Sequence, residues 1–437
     1  MIQFYIPAWR GTLSCSAAPN GAFEVDRPAV AFDLPGRSKV LETGSLQVEL
    51  SEHDRLATLY NLQAQLQGGA IMFNNSSSII GFLAAMFVSL MPMLSASACT
   101  DFLVATGDGS SIVGRSMEWG LDLDSHIWRH SRGQSRSSVS PDGKTGVKWT
   151  SKYGYLGVDC QSMPIALDGM NEQGLSMGML WLPGAVYQDI PAATPEVALS
   201  VLDLGHWILG NFATVEEVKT AIGKVRVWSP PLADWGGVPT MHLALHDAQG
   251  KSAVIEFIGG QQKIYDNPGQ VLTNAPTFDW HRTNLCNYIR ISPANPLPIT
   301  VRDTILAPPG QGSGFLGIPG DWTPPSRFVR TTAMLAFAKP TKSAREGVNL
   351  ALHILNAVDI PLGDVREKPG EIAHSDYTQW TVVKDLTNRV LYFRSYDNTT
   401  LRAIDLKQLN LNAEAGSKKL TPIAGGSPAS DITSQVK

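Results

Sequence analysis

Residues 79–99 read IIGFLAAMFVSLMPMLSASAC, an apolar run that closes on Ser95-Ala96-Ser97-Ala98 and then Cys99. The run lies in a wider gap: between Arg55 and Asp101 there is no Lys, Arg, Asp or Glu. An apolar segment ending in Ala-x-Ala describes an export signal cleaved after Ala98. It is short for a membrane-spanning helix, which needs about 20 residues. On this reading the mature chain starts at Cys99, and the fold is whatever the residues from Cys99 onward build. Residues 72–98 are then the signal and residues 1–71 an upstream over-call. The alternative is a genuine N-terminal extension with an internal membrane anchor.

A chain that begins with Cys carries its own base. An α-amino group has a pKa of about 7.7–8.0 and is partly neutral near pH 7. It can take the proton of the thiol beside it, and thiolate is the attacking form. Two other readings of Cys99 stay open at this point. It could be a small hydrophobe of the core, or the lipid-bearing cysteine of an exported lipoprotein, although the usual Leu three residues earlier is here Ala96.

Composition narrows the classes. The 437-residue chain has a charged fraction of 17% and a formal net charge of -4, with no basic stripe. Phosphate binding needs clustered Lys and Arg, so nucleic acid is not the expected partner. The four cysteines, Cys15, Cys99, Cys160 and Cys286, form no CxxC pair, which argues against a zinc knuckle or thioredoxin-like motif. A Cys160–Cys286 disulfide remains open.

Downstream of Cys99, short β-branched runs flank the turn Gly107-Asp108-Gly109 and predict a hairpin. Residues 241–245, 253–258 and 262–265 predict consecutive antiparallel strands, and residues 380–383, 390–396 and 401–406 three more. Thr214-Val215-Glu216-Glu217 is a capping box; residues 343–358 and 195–209 read as further helices. The segment beyond about residue 413 is polar and predicted to be loose. Strand groups alternate with helix groups without regular βαβ units, which implies an α+β layered domain. Gly312-Ser313-Gly314-Phe315-Leu316-Gly317 matches GxGxxG but lacks the strand and helix a dinucleotide site needs, so it reads as a loop. His242 and His246 share a strand face, and His126 and His130 could share a helical one. Without a third ligand these are structural histidines, and no metal is implied.

The order of Cys99-Thr100, Gly114-Arg115-Ser116-Met117-Glu118-Trp119, Asp168-Gly169-Met170-Asn171-Glu172-Gln173-Gly174-Leu175, Thr273-Asn274-Ala275-Pro276-Thr277-Phe278-Asp279 and Ser326-Arg327-Phe328-Val329-Arg330 resembles the choloylglycine hydrolase and penicillin V acylase family. Residues 149–154 and 211–215 look closest to its Gram-negative branch. The likeness runs from Cys99 to about Leu411, with an amidase domain over residues 99–412.

The resemblance implies the N-terminal-nucleophile hydrolase fold, a four-layer αββα sandwich, and hydrolysis of a linear carboxamide through a thioester, without a cofactor. Carried over by position, Cys99 is the nucleophile and its α-amine the base. Arg115 helps hold the thiol ionised, and Arg327 completes the polar network. Asn274 and the backbone N–H of Trp181 hold the oxyanion, and Trp119 and Trp181 line the acyl site. Glu118 stands where the family usually has Asp, in contact with the new amino terminus. Asn171 is expected to be a structural turn residue. The implied substrates are penicillin V, N-acyl homoserine lactones or conjugated bile salts, the implied location periplasmic or secreted, and the implied state a homo-oligomer with no stable membrane anchor after processing. A lipid-anchored binding protein and a family member that has lost catalysis are the competing readings.

Overall fold

The structure, a computed structural model, describes residues 15–17, 23–25, 98–366 and 375–429. All of the expected signal at 72–98 except Ala98, and most of 1–71, lie outside the described residues. The chain divides into two compact units, Met1–Met91 and Pro92–Lys437. In the first, Cys15–Ala17 and Phe23–Val25 pair antiparallel.

The second unit begins with a hairpin, β1 (Thr100–Ala105) and β2 (Ser111–Trp119). Its turn carries Gly109 at φ 82, a backbone conformation glycine adopts without Cβ strain, and Asp108 Oδ1 accepts from Ser110 N–H at 3.1 Å. The chain continues through β3 (His126–His130), β4 (Tyr155–Val158), β5 (Asp168–Asn171) and β6 (Ser176–Trp181). Helices α1 (Val201–Asn211) and α2 (Val215–Ile222) follow, then β7 (Met241–His246), β8 (Ser252–Ile258), β9 (Gln261–Asp266) and β10 (Val271–Leu272). Helices α3 (Phe278–Leu285), α4 (Pro324–Phe337) and α5 (Ala344–Asn356) precede β11 (Tyr377–Asp385), β12 (Val390–Ser395), β13 (Arg402–Asp405) and β14 (Ser417–Pro422).

These strands make two antiparallel sheets. One runs β9-β8-β7-β6-β5-β4-β3-β14, the other β10-β1-β2-β11-β12-β13. Every residue of β6, and every residue of β2 but Trp119, is buried, so both faces of each sheet must be covered. Helix α1 packs on β5 and β6, α4 on β1 and β10, and α5 on β2 and β11. Arg115 of β2 reaches the carbonyl of Leu167 and the Asp168 carboxylate of β5, so the other faces of the two sheets meet each other. This is the four-layer αββα order the resemblance implies. Apolar side chains such as Leu103, Val113, Leu156 and Leu180 are fully buried in it, and each contributes about 1.5–3 kcal/mol relative to exposure.

Three expectations are corrected. The helix expected over 195–209 starts only at Val201, because Ser200 caps it by accepting from Leu202 N–H. The residues ahead of it form a 3-10 turn (Pro195–Val197) and a short strand, Ala198–Ser200, parallel to Arg226–Trp228. His126 and His130 lie on strand β3. The tail expected to be loose from residue 413 supplies β14, an edge strand against β3 with Ile423 buried just after it. An edge strand needs only one covered side and tolerates lysines on the other, which is why Ser417-Lys418-Lys419-Leu420-Thr421-Pro422 looked like coil. The GxGxxG segment is a 3-10 turn, Ser313–Phe315, in a loop.

Candidate active site

Strand alternation sorts the site residues. In β2, Arg115, Met117 and Trp119 share one face while Ser116 and Glu118 share the other. The register sets Asp101 opposite Arg115 and Thr100 opposite Ser116, so Cys99, just ahead of β1, falls opposite Met117. Cys99 Sγ lies 3.6 Å from Met117 Sδ, and Cys99 is 2% exposed.

Arg115 fills the gap between the sheets, fully buried. Its Nη1 donates to Leu167 O at 2.7 Å and to Asp168 Oδ2 at 3.0 Å, and its Nη2 donates to Met179 O. Asp168 is bound from the other side by Lys384 Nζ at 2.8 Å. Burial works against the Arg115 charge, but Asp168, Cys99 and Asp101 together hold its pKa above the ordinary value. A permanent cation is thereby held near the thiol.

The main chain of Cys99 is gripped at both ends. Its N–H donates to Asn274 Oδ1, and its carbonyl accepts from Arg327 Nη1 at 2.5 Å. Arg327, on α4, also donates to Thr100 Oγ1 at 2.6 Å and Asn274 Oδ1 at 3.0 Å. Asn274 in turn donates through Nδ2 to Trp181 O at 2.8 Å. Its own carbonyl accepts from His281 Nε2 at 2.8 Å. Burial lowers the His281 pKa to about 4, so the ring is a neutral donor at pH 7. Leu182 N–H is laddered to Thr240 O at 2.8 Å; by antiparallel alternation the polar groups of Trp181 point away from β7, toward Asn274.

Glu118 occupies the helix-side face of β2. Thr378 Oγ1 donates to its Oε1 at 2.8 Å. Burial pushes its pKa up to about 8, against the pull of Arg327, Ser116 and Thr378. Burial likewise draws Arg327 below its ordinary value, against the pull of Glu118 and Cys99. Arg327 thus links the Glu118 carboxyl to the Cys99 main chain, while the Cys99 N–H itself goes to Asn274.

The thiol opens on an apolar cleft lined by Met117, Trp119, Leu123, Trp181, Trp235 and Met241, among others. Trp119 and Trp181 pack edge to face at 5.0 Å, and Trp235 lies 5.5 Å from Trp119. A roomier cleft lined by Arg132, Glu172 and Arg389 holds no cysteine, and its Arg132 and Glu172 pair with each other. The Cys99 thiol stands at the smaller cleft. Cys160 is buried, which pushes its thiol up to about 12. Cys160 and Cys286 are both free. Among the described residues no group of His, Cys, Asp and Glu could hold a metal ion.

Comparison with known proteins matches residues 99–419 to the model of the linear amide C–N hydrolases, choloylglycine hydrolase family. The chain belongs to that family. The bile salt hydrolase/transferase of Clostridium perfringens is 32% identical over 72% of this chain and 94% of that protein. The penicillin V acylase of Pectobacterium atrosepticum is 27% identical over 79% of this chain and 91% of its own length. The structure of penicillin V acylase from Agrobacterium tumefaciens is 30% identical, with a TM-score of 0.61 over 74% of this chain and 91% of that one. The N-terminal-nucleophile hydrolase fold and a linear amide C–N hydrolase activity follow for this family member.

Cys99, Asn274, Trp181, Arg327 and Trp119 lie together around one cleft, with Arg115 beside the thiol on the same face of β2; Glu118 lies on the far face of that strand. Asn171 is the last residue of β5 and holds the turn that follows: its Oδ1 accepts from Gln173 N–H and Leu175 N–H at 3.0 Å, and its Nδ2 donates to Leu209 O at 2.9 Å. Sequence reasoning missed Trp235, His281, and the buried groups Asp101, Asp168 and Lys384. Trp235 carried a signal, a tryptophan between Pro230-Pro231 and Gly236-Gly237. The others sit in ordinary strand or helix patterns.

Proposed function

We propose that this amidase is exported, loses residues 1–98, and uses Cys99 as nucleophile with its freed α-amine as base. The amine takes the thiol proton and the thiolate attacks the amide carbonyl carbon. The oxyanion is held by Asn274 Nδ2 and the Trp181 N–H; an amide nitrogen has two hydrogens, so the bond to Trp181 O still leaves one to donate. The ammonium protonates the leaving nitrogen, the C–N bond breaks, and a thioester on Cys99 remains. Water, deprotonated by the same amine, attacks the thioester and releases the acid and the thiol.

The observation that carries this reading is the double grip on Cys99: its nitrogen on Asn274 and its carbonyl on Arg327, with its sulfur toward the indole-lined cleft. That grip fixes amine and thiol relative to the substrate. The apolar lining suits an aromatic or long aliphatic acyl group. By analogy with the family's Gram-negative branch, penicillin V or a long-chain N-acyl homoserine lactone is favoured over a conjugated bile salt. Burial of Cys99 disfavours the lipid-anchor reading, since an acylated cysteine must reach a membrane. A homo-oligomer has surface to use: Leu297, Ile299 and Ile305 are 86%, 60% and 71% exposed. Hydrolysis of a panel of the three amide classes by the native chain and by Cys99→Ala tests the reading. Activity lost in the variant supports it, and activity retained sinks it.

A further inference from the structure

One buried ionisable pair between the sheets has no task in that mechanism. Asp101 of β1 and His246 of β7 meet at 2.7 Å through Oδ1 and Nε2, and both are buried. Asp101 is two residues from Cys99 on the same strand face and directly opposite Arg115. Its other oxygen, Oδ2, makes no hydrogen bond. A Cβ placed on Gly178 would lie 3.0 Å from Asp101 Oδ2 and 2.9 Å from Arg115 Nη1. The carboxylate and guanidinium therefore share the space that this glycine vacates, and Oδ2 acts on Arg115 by charge without a hydrogen bond.

We propose that Asp101 and His246 are a positioning pair that sets, through Arg115, the pH at which the Cys99 thiol ionises. The inference rests on the reading of Cys99 as nucleophile. The charges facing Asp101 are His246 of β7, Lys384 of β11 and Arg115 of β2; those facing Arg115 are Asp168 of β5, Cys99 and Asp101; the Cys99 thiol also faces Arg327 of α4, which Asp101 does not touch. Asp168 is already matched by Lys384. The Asp101 carboxylate then opposes what Arg115 can lend to a thiolate. His246 donates to Oδ1 and keeps this carboxylate charged and in place. The expected consequence is that the Cys99 thiol gives up its proton less readily than it would beside an Arg115 free of Asp101. An attacking thiol works best with a pKa near the ambient pH.

The test is the pH dependence of iodoacetamide alkylation at Cys99, followed by peptide mass so that Cys160 and Cys286 are kept apart. It is run on the mature chain beginning at Cys99. Asp101→Asn removes the opposing charge and is expected to lower the alkylation midpoint by about one pH unit. The acid limb of kcat/KM should move with it. His246→Phe leaves Asp101 buried without its hydrogen-bond donor, so that it takes up a proton; the same downward shift is expected, which keeps the test usable if Asp101→Asn does not fold. His246→Gln keeps a donor and is expected to hold the native midpoint. An unchanged midpoint in the folded Asp101→Asn or His246→Phe chain, with only stability reduced, overturns the proposal. Activity retained by Cys99→Ala would instead overturn the nucleophile reading, and the two failures are separate.

Discussion

Arg327 donates to the main-chain oxygen of Cys99 at 2.5 Å from a helix 228 residues downstream. The same guanidinium reaches Asn274 Oδ1 at 3.0 Å and Trp322 O at 2.9 Å. A planar fork is needed to serve such divergent acceptors, and an ammonium on a flexible stem cannot replace it. Arg327→Lys is therefore expected to lower kcat/KM about 100-fold, with a fall in Tm as well. Steady-state kinetics beside a thermal melt checks this. A native kcat/KM would mean that the grip on Cys99 is not needed.

Asn274 Oδ1 accepts from the Cys99 nitrogen, and the proposed mechanism gives its Nδ2 a second task at the oxyanion. Asn274→Ala should reduce kcat by about 100- to 1,000-fold, as for other oxyanion donors. The loss should appear in kcat more than in KM, because the donor matters most when charge develops on the oxygen. A pure KM effect would place Asn274 in substrate binding instead.

Glu118 gives a pH dependence of stability with a defined sign. Its folded pKa, about 8, is above its ordinary 4.5 because of burial. A raised pKa means the folded state binds the proton more tightly, so the contribution is full below about 4.5 and is lost as pH rises through about 8. The span amounts to a few kcal/mol at most. In a chain that retains Ala98, Tm should fall across that window, and Glu118→Gln should flatten the fall. An unchanged slope in Glu118→Gln would assign the dependence to another group.

Trp235 lies in a 3-10 turn followed by Gly236 and Gly237 at φ 70 and 143, whereas Trp119 and Trp181 sit on strands. Trp235→Ala should raise KM for amides with a bulky acyl group about 10-fold, while short-chain amides change little, because the lost contact is apolar area. Comparing KM across an acyl-length series tests it; a uniform change across the series would contradict an acyl-binding role.

The part of the site that was legible in sequence is the part that local patterning encodes. The turn at residues 107–109 and the strand after it were legible, and the motif at residues 114–119 supplied Arg115, Glu118 and Trp119; which of them share a face follows from the observed extent and register of β2. Capping was legible too: Thr214 Oγ1 accepts from Glu217 N–H at 3.2 Å, although Glu217 returns its bond to Ala213 N–H and not to Thr214. What stayed hidden were partners distant in the chain. Lys384 binds Asp168 across 216 residues and His246 binds Asp101 across 145. Nothing in the neighbourhood of Lys384 separates a buried bridge from a solvated charge. The ordered motifs named the proposed catalytic residues; only the packed sheets show what holds them.

The claim that Cys99 is the nucleophile, freed by removal of residues 1–98, is tested most directly by trapping the acyl-enzyme. The mature protein is quenched in acid during turnover of a favoured amide, digested, and its peptides weighed. The account predicts the acyl mass on a peptide whose first residue is Cys99, removed by hydroxylamine as a thioester is. Acyl mass on any other residue, or turnover by a chain that still carries Ala98, would contradict it.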